Sequence, residues 1–366
     1  MRNILHHSSI VGLMAITVMA NANNTTMEMV PISTVTNGNN AAAGSKALSV
    51  INEQRANCGL GKLHYDPNLF DVVFRHANYL EYIQSRAAGV PMDLHGENVV
   101  KGYESLTGKN NPYFAGEDFT ARVIARRYMN AGNGGSENVI QEVVFNRDGN
   151  VLSPVSEGEF FGNVLLSAPY HMQTLVATNR NLAAASFITY TPYNVDKNAQ
   201  KGYSMVLATS ATKSAAEKPF KGIFTYPCEG TKNTVTALYE ELPSPVKGTG
   251  RDLQTDPVGQ PIYIDVPTAN SIKINNVSVY DVKRKMNIPT QLIDYDNDPH
   301  KKTKYEMPKN KVFILPLTDS IIGCPNRAIK KCGLNQHTQY RVSFDISING
   351  EKPFNHSFKF TTGYAN

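Results

Sequence analysis

Tryptophan is absent from this sequence, cysteine occurs only four times, and Asp, Glu, Lys and Arg together make up just 18% of it. So few cysteines in 366 residues exclude the disulfide-dense scaffold that replaces a core in small secreted domains. The net charge of +5 is small, and Lys and Arg are interleaved with acids rather than gathered in runs, so the electrostatic footprint of nucleic-acid binding is missing. Even the densest basic patch, His300 to Lys304, directly follows Asp294, Asp296 and Asp298 and reads as a solvated hairpin tip. Those three aspartates resemble the start of a calcium loop, but Pro299 and Tyr305 stand where such a loop needs glycine and glutamate. The signatures G-x-S-x-G, H-E-x-x-H, G-x-x-x-x-G-K-[ST] and C-x-x-C do not occur, and standard hydrolase and nucleotide-binding readings lose most of their weight.

No stretch approaches the roughly 20 apolar residues that a membrane-crossing helix needs. The apolar run Ile10 to Ala20 is shorter; with Arg2 before it and the A-x-A site Ala20-Asn21-Ala22 after it, residues 1–22 read as an export signal. A secreted or periplasmic chain beginning near Asn23 is expected, with no cysteine at that point to take a lipid anchor. Export permits disulfides, and four cysteines allow three pairings. Cys324 and Cys332 bracket the short loop CPNRAIKKC, which favours their closure and leaves Cys58 for Cys228.

A chain of this length exceeds what a single core of about 250 residues holds, so two domains are expected. Residues 23–43, rich in Asn and Thr without a sustained period, read as a flexible leader. Ala47, Leu48, Val50 and Ile51 recur at helical spacing before Gly59. Asp66 and Pro67 open a second helix with the stripe Leu69, Phe70, Val73, Ala77 and Leu80. A long ordered loop over 87–117 precedes a helix near Asp118 to Met129, and another helix over Glu157 to Ser167 ends before Pro169. Residues 182–191 and 203–211 have strand composition, which makes 44–218 an α+β domain. From residue 219 to 366 short alternating runs punctuated by Pro, Gly and Asn predict an all-β sandwich, with Tyr340 as a corner tyrosine bonded to nearby backbone.

Two histidines stand in polar, loop-like settings: His95, close to Glu97, and His171, just past the expected helix end. Neutral imidazole is a ligand for divalent transition metals and a proton carrier near neutral pH. Glu97 and Glu137 are candidate second-shell carboxylates that orient such a ring. His76, among core residues of the second helix, reads as a structural histidine satisfied by hydrogen bonds, and His64 as local structure beside Asp66. Glu157 and Glu159 read as exposed first-turn acids favoured by the helix dipole.

In order along the chain come an opening helix from Val50 to Leu60, the helix segment Arg75-His-Ala-Asn-Tyr-Leu80, the histidine loop, a G-E-N-like turn at Ser136-Glu137-Asn138, and Ala168-Pro-Tyr-His171. That set resembles the CAP (cysteine-rich secretory, antigen 5, pathogenesis-related) superfamily in its bacterial exported form, over residues 45 to about 215. The resemblance implies an α-β-α sandwich whose groove holds two histidines and two acids, sometimes with a divalent cation such as Zn²⁺. His95, Glu137 and His171 match three of those places, while the second acid falls near Ala168 and is missing. The C-terminal block resembles the immunoglobulin-like domains appended to such proteins, which implies adhesion or spacing and no active site.

Three functions are in play. The first is an exported module that binds a metal or an unidentified protein, glycan or lipid through His95 and His171, with no required cofactor. The second is a metal-assisted hydrolase of peptides or cell-wall material with Glu137 as general base. The third, implied only by the resemblance, is lipid or sterol capture. An incomplete acid pair places binding above catalysis.

Overall fold

The computed structural model describes residues 27–145, 149–196, 200–218, 220–318 and 332–363. The export signal over 1–22 lies outside them, as does Cys324 and with it the Cys324–Cys332 pairing. The chain divides into two compact units: the first runs to Ser49 and takes up His64–Phe161 and Leu182–Ser210, and the second comprises Val50–Leu63, Gly162–Asn181 and everything from Ala211.

In the first unit, β1 (Met29–Pro31) pairs with β5 (Asn150–Leu152). A larger sheet has the order β2 (Gly38–Asn39), β6 (Leu182–Tyr190), β7 (Gln200–Ser210), β4 (Gly135–Phe145), with β3 (His64–Tyr65) alongside β6. Residues 29–43, read from composition as a leader, thus hold β1, β2 and the start of α1 (Ala41–Asn57). The local signals for α2 (Pro67–Gln84) act as expected: the Asp66 carboxylate accepts from the amides of Asn68 and Leu69, and Pro67 occupies the first turn. Its stripe, including Leu69, Val73, Ala77 and Leu80, is buried against Ala184 and Ile188 of β6 and Val206 and Ala208 of β7. Other side chains of these strands, Phe187 and Tyr203, pack with Phe161 of α4 (Pro154–Leu165), so β6 and β7 are buried almost throughout. Two glycines allow close approach here. A Cβ on Gly158 would stand 2.2 Å from the Ala43 carbonyl oxygen, and one on Gly44 would stand 2.8 Å from that of Ala185.

The second unit holds α5 (Pro169–Leu175), α6 (Lys213–Ala216) and nine strands among its described residues. These are β8 (Phe224–Tyr226), β9 (Thr231–Thr234), β10 (Ile262–Asp265), β11 (Ile272–Asp281), β12 (Met286–Ile288), β13 (Thr290–Ile293), β14 (Lys311–Pro316), β15 (Gln339–Ile348) and β16 (Phe354–Thr362). They form two sheets, β13-β14-β10-β8 and β12-β11-β15-β16-β9. Strand alternation explains the core: Tyr340, Val342, Phe344 and Ile346 of β15 all point inward and join Ile262, Ile264, Val312 and Ile314 of the other sheet. The Tyr340 hydroxyl accepts from the amide of Asn335 at 2.8 Å, as expected of a corner tyrosine. Cys58 and Cys228 form a disulfide. Nearby in sequence, buried Arg55 donates to the carbonyls of Gly61, Leu175, Ala177 and Arg180, and burial pulls its guanidinium down to about 10.

The all-β expectation for the C-terminal part is compatible with these sheets, but the α+β class and the CAP-type α-β-α sandwich are overturned. The described residues carry sixteen strands in four sheets against six α-helices, three of which are of seven residues or fewer. The reason is local: residues 85–118 form no α-helix, and α3 (Phe119–Ala125) stops early because Arg127 adopts φ 51°. The segment read as a G-E-N turn is instead part of the eleven-residue strand β4, hydrogen-bonded along its length to β7.

Candidate functional site

Four elements of the first unit bring ionisable side chains together. His76 comes from α2, His95 and Glu97 from the loop after it, Arg122 from α3 and Glu137 from β4. Arg122 Nη2 donates to both Glu137 oxygens, at 2.7 and 2.8 Å. Its two terminal nitrogens also donate to the carbonyl of His95, each at 3.2 Å, fixing the loop that carries the histidine. Glu97 accepts from the amides of Ala115 and Gly116 through Oε2, while its Oε1 lies 2.9 Å from Nδ1 of His76.

The other nitrogen of His76 lies 2.8 Å from the Leu94 carbonyl. Both ring nitrogens of His76 are thus engaged by oxygen atoms of the loop after α2. Burial opposes ionisation of Glu137, but the charges of His76 and Arg122 and the hydrogen bond from His95 outweigh it and hold the carboxyl down at about 2. Glu137 Oε1 in turn accepts from Nδ1 of His95 at 3.2 Å, which in the neutral ring leaves the lone pair on Nε2. The side chains of His76, Glu97 and Arg122 are 0% exposed and that of Glu137 2%, whereas His95 is 26% exposed. Pro91, Met92, Asp93, Asn98, Val99 and Lys101 of the same loop line a depression of about 310 Å³.

His171 lies in the second unit, past the end of α4 as expected but within a further short helix, α5. Its Nδ1 stands 3.1 Å from Oε1 of Glu241, a fully buried carboxylate. Thus the structure gathers His95, Glu97 and Glu137 in one cluster and gives His171 a carboxylate partner in the other unit. His76 is satisfied by hydrogen bonds, as expected, and through Glu97 it belongs to the cluster. Glu157 is 1% exposed, not an exposed first-turn acid, and Glu159 is paired with Lys46. Arg122 and Glu241 were missed in the sequence. Arg122 had one signal, its place one turn past the capping Asp118; Glu241, 70 residues from His171, had none.

The donor set around His95 does not fit a divalent metal. Both oxygens of Glu137 are committed to Arg122, and among the described residues no three His, Cys, Asp or Glu side chains form a group able to hold an ion. No protein-family model matches the chain, and no curated protein matches it in sequence, so neither the CAP nor the immunoglobulin-like resemblance is carried by such a match.

Proposed function

We propose that this chain is an exported binding protein whose ligand is contacted by His95 and the loop of residues 91–101, with the second unit as an immunoglobulin-like contact or spacing module. The observation that carries the reading is a network of five ionisable side chains in which four are buried and His95 alone reaches the surface. Burying charges costs several kcal/mol per ion, and pairing them at best roughly offsets that cost, so stability is a poor account of such a network. Holding one exposed imidazole in a fixed tautomer and orientation is a better one. The disulfide suits an oxidising compartment, and no helix among the described residues is long and apolar enough to cross a membrane.

Binding ranks above hydrolysis because a carboxylate held at about 2 is a weak base at neutral pH. The test is a panel of peptidoglycan fragments, oligosaccharides, peptides, lipids and Zn²⁺, titrated calorimetrically against the wild type and His95→Ala. A ligand bound by the wild type and lost in the variant is the expected result. Turnover of a panel member would favour the hydrolase, and a panel with no binder, or one indifferent to His95→Ala, sinks the proposal.

A further inference from the structure

A strand at the edge of a sheet presents a row of unpaired N–H and C=O groups, and proteins blunt such edges by keeping them short, by lysine or proline, by bulges or by a cover. The described sheets take the first course at nearly every edge. The terminal strands β2, β8, β9, β12 and β13, and both strands of the β1–β5 pair, have two to four residues each. Strand β4 departs from this with eleven. It ends the sheet β2-β6-β7-β4, and among the described residues no strand pairs with its outer edge. Its sequence, GSENVIQEVVF, holds no lysine, arginine or proline. Its register with β7 runs unbroken from Gly135 to Phe145, so no bulge turns the edge aside.

Exposure follows the same line. Strands β6 and β7 are buried almost throughout, whereas every residue of β4 from Ile140 to Phe145 is at least partly exposed. Glu137 is partly exposed as a residue although its side chain is only 2% exposed, so the accessible part is its backbone. The ionisable side chains of the strand are taken up within the chain, Glu137 by Arg122 and Glu142 by Glu157. Two copies of this edge therefore meet without opposed free charges. Identical strands paired antiparallel obey a two-fold axis, and the short strands at the other described edges give such an assembly nowhere to grow, so it closes at two.

We infer that this chain forms a two-fold dimer in which β4 pairs antiparallel with β4 of a second copy, joining the two sheets into one. Glu137, which holds the His95 imidazole, lies on the joining strand. On the reading of His95 as a ligand contact, each dimer presents two such contacts to a repeating ligand. The dimer itself does not rest on that reading.

The test is sedimentation of the intact chain over a range of concentrations. A species of twice the mass of one chain is expected to grow with concentration. Backbone N–H groups alternate in direction along a strand, so of Val143→Pro and Val144→Pro one loses a bond to β7 and the other loses an outward donor. The latter is expected to keep the wild-type unfolding midpoint and to sediment as a single chain. A wild type that sediments as one chain at every concentration overturns the inference and leaves an extended segment of another protein as the occupant of the edge. A dimer that survives in every folded variant overturns it too. If neither variant folds, hydrogen exchange of the wild type decides: protection of alternate β4 amides is expected to rise with concentration, and exchange independent of concentration overturns the dimer.

Discussion

Two buried acid groups of the first unit, a few residues apart along β4, behave in opposite ways. Glu137 faces Arg122 and His76 and stays ionised far below the usual range. Glu157 of α4 faces Glu142 of β4; burial and the neighbouring negative charge push its carboxyl well above the usual range, and Glu142 is raised by burial as well. Burial thus accompanies a fixed anion in one place and a carboxyl pair shifted towards the protonated form in the other. The partner, not the burial, decides the charge.

Removing the partner should break this difference most severely. Arg122→Met leaves Glu97 and Glu137 with less cationic charge in a dry site and is expected to cost about 3–5 kcal/mol in urea unfolding. Next in size is the pH dependence. The Glu137 carboxyl is held at about 2 against an ordinary 4.5, so its contribution is present above 4.5 and is lost as pH falls towards 2. That limb is worth roughly 3 kcal/mol and should vanish in Glu137→Gln, measured as melting temperature against pH.

Glu157 has the opposite sign: with a raised carboxyl its contribution is complete below 4.5 and is lost as pH rises above that. Glu157→Gln is therefore expected to stabilise the chain at pH 7 by an amount on the order of 1 kcal/mol, with the gain disappearing near pH 4. A destabilised Glu157→Gln at pH 7 would show that the pair is not sharing a proton. The smallest effect is expected at Asp71, which pairs with Arg126 and Arg75 at the exposed surface; Asp71→Asn should cost under about 1 kcal/mol and fade with added salt.

Some elements were legible because their causes are local. Asp66 and Pro67 start α2 within the reach of one turn, and the alternation Tyr340, Val342, Phe344, Ile346 marks an inward strand face without reference to its neighbours. Strand β4 was not legible: Ser136, Glu137, Asn138, Gln141 and Glu142 make a polar run that is a strand only because β7 pairs with it. The expected helical layers also failed, since periodicity marks where a helix starts better than how far it extends, and α3 ends at a left-handed residue that no pattern announced. Glu157 was misplaced because a first-turn acid is ordinarily exposed, whereas the glycine contact between Gly158 and Ala43 draws this turn inward.

By itself the sequence determined which histidines and acids deserve notice and where single strands and helices begin, because capping, alternation and proline punctuation act over a few residues. Only the tertiary structure decided that His95 meets Glu137, 42 residues away, that Arg122 and His76 hold that carboxylate ionised, and that Glu241 reaches His171. Charge states in a dry interior depend on which side chains arrive from distant elements, and no local pattern carries that information.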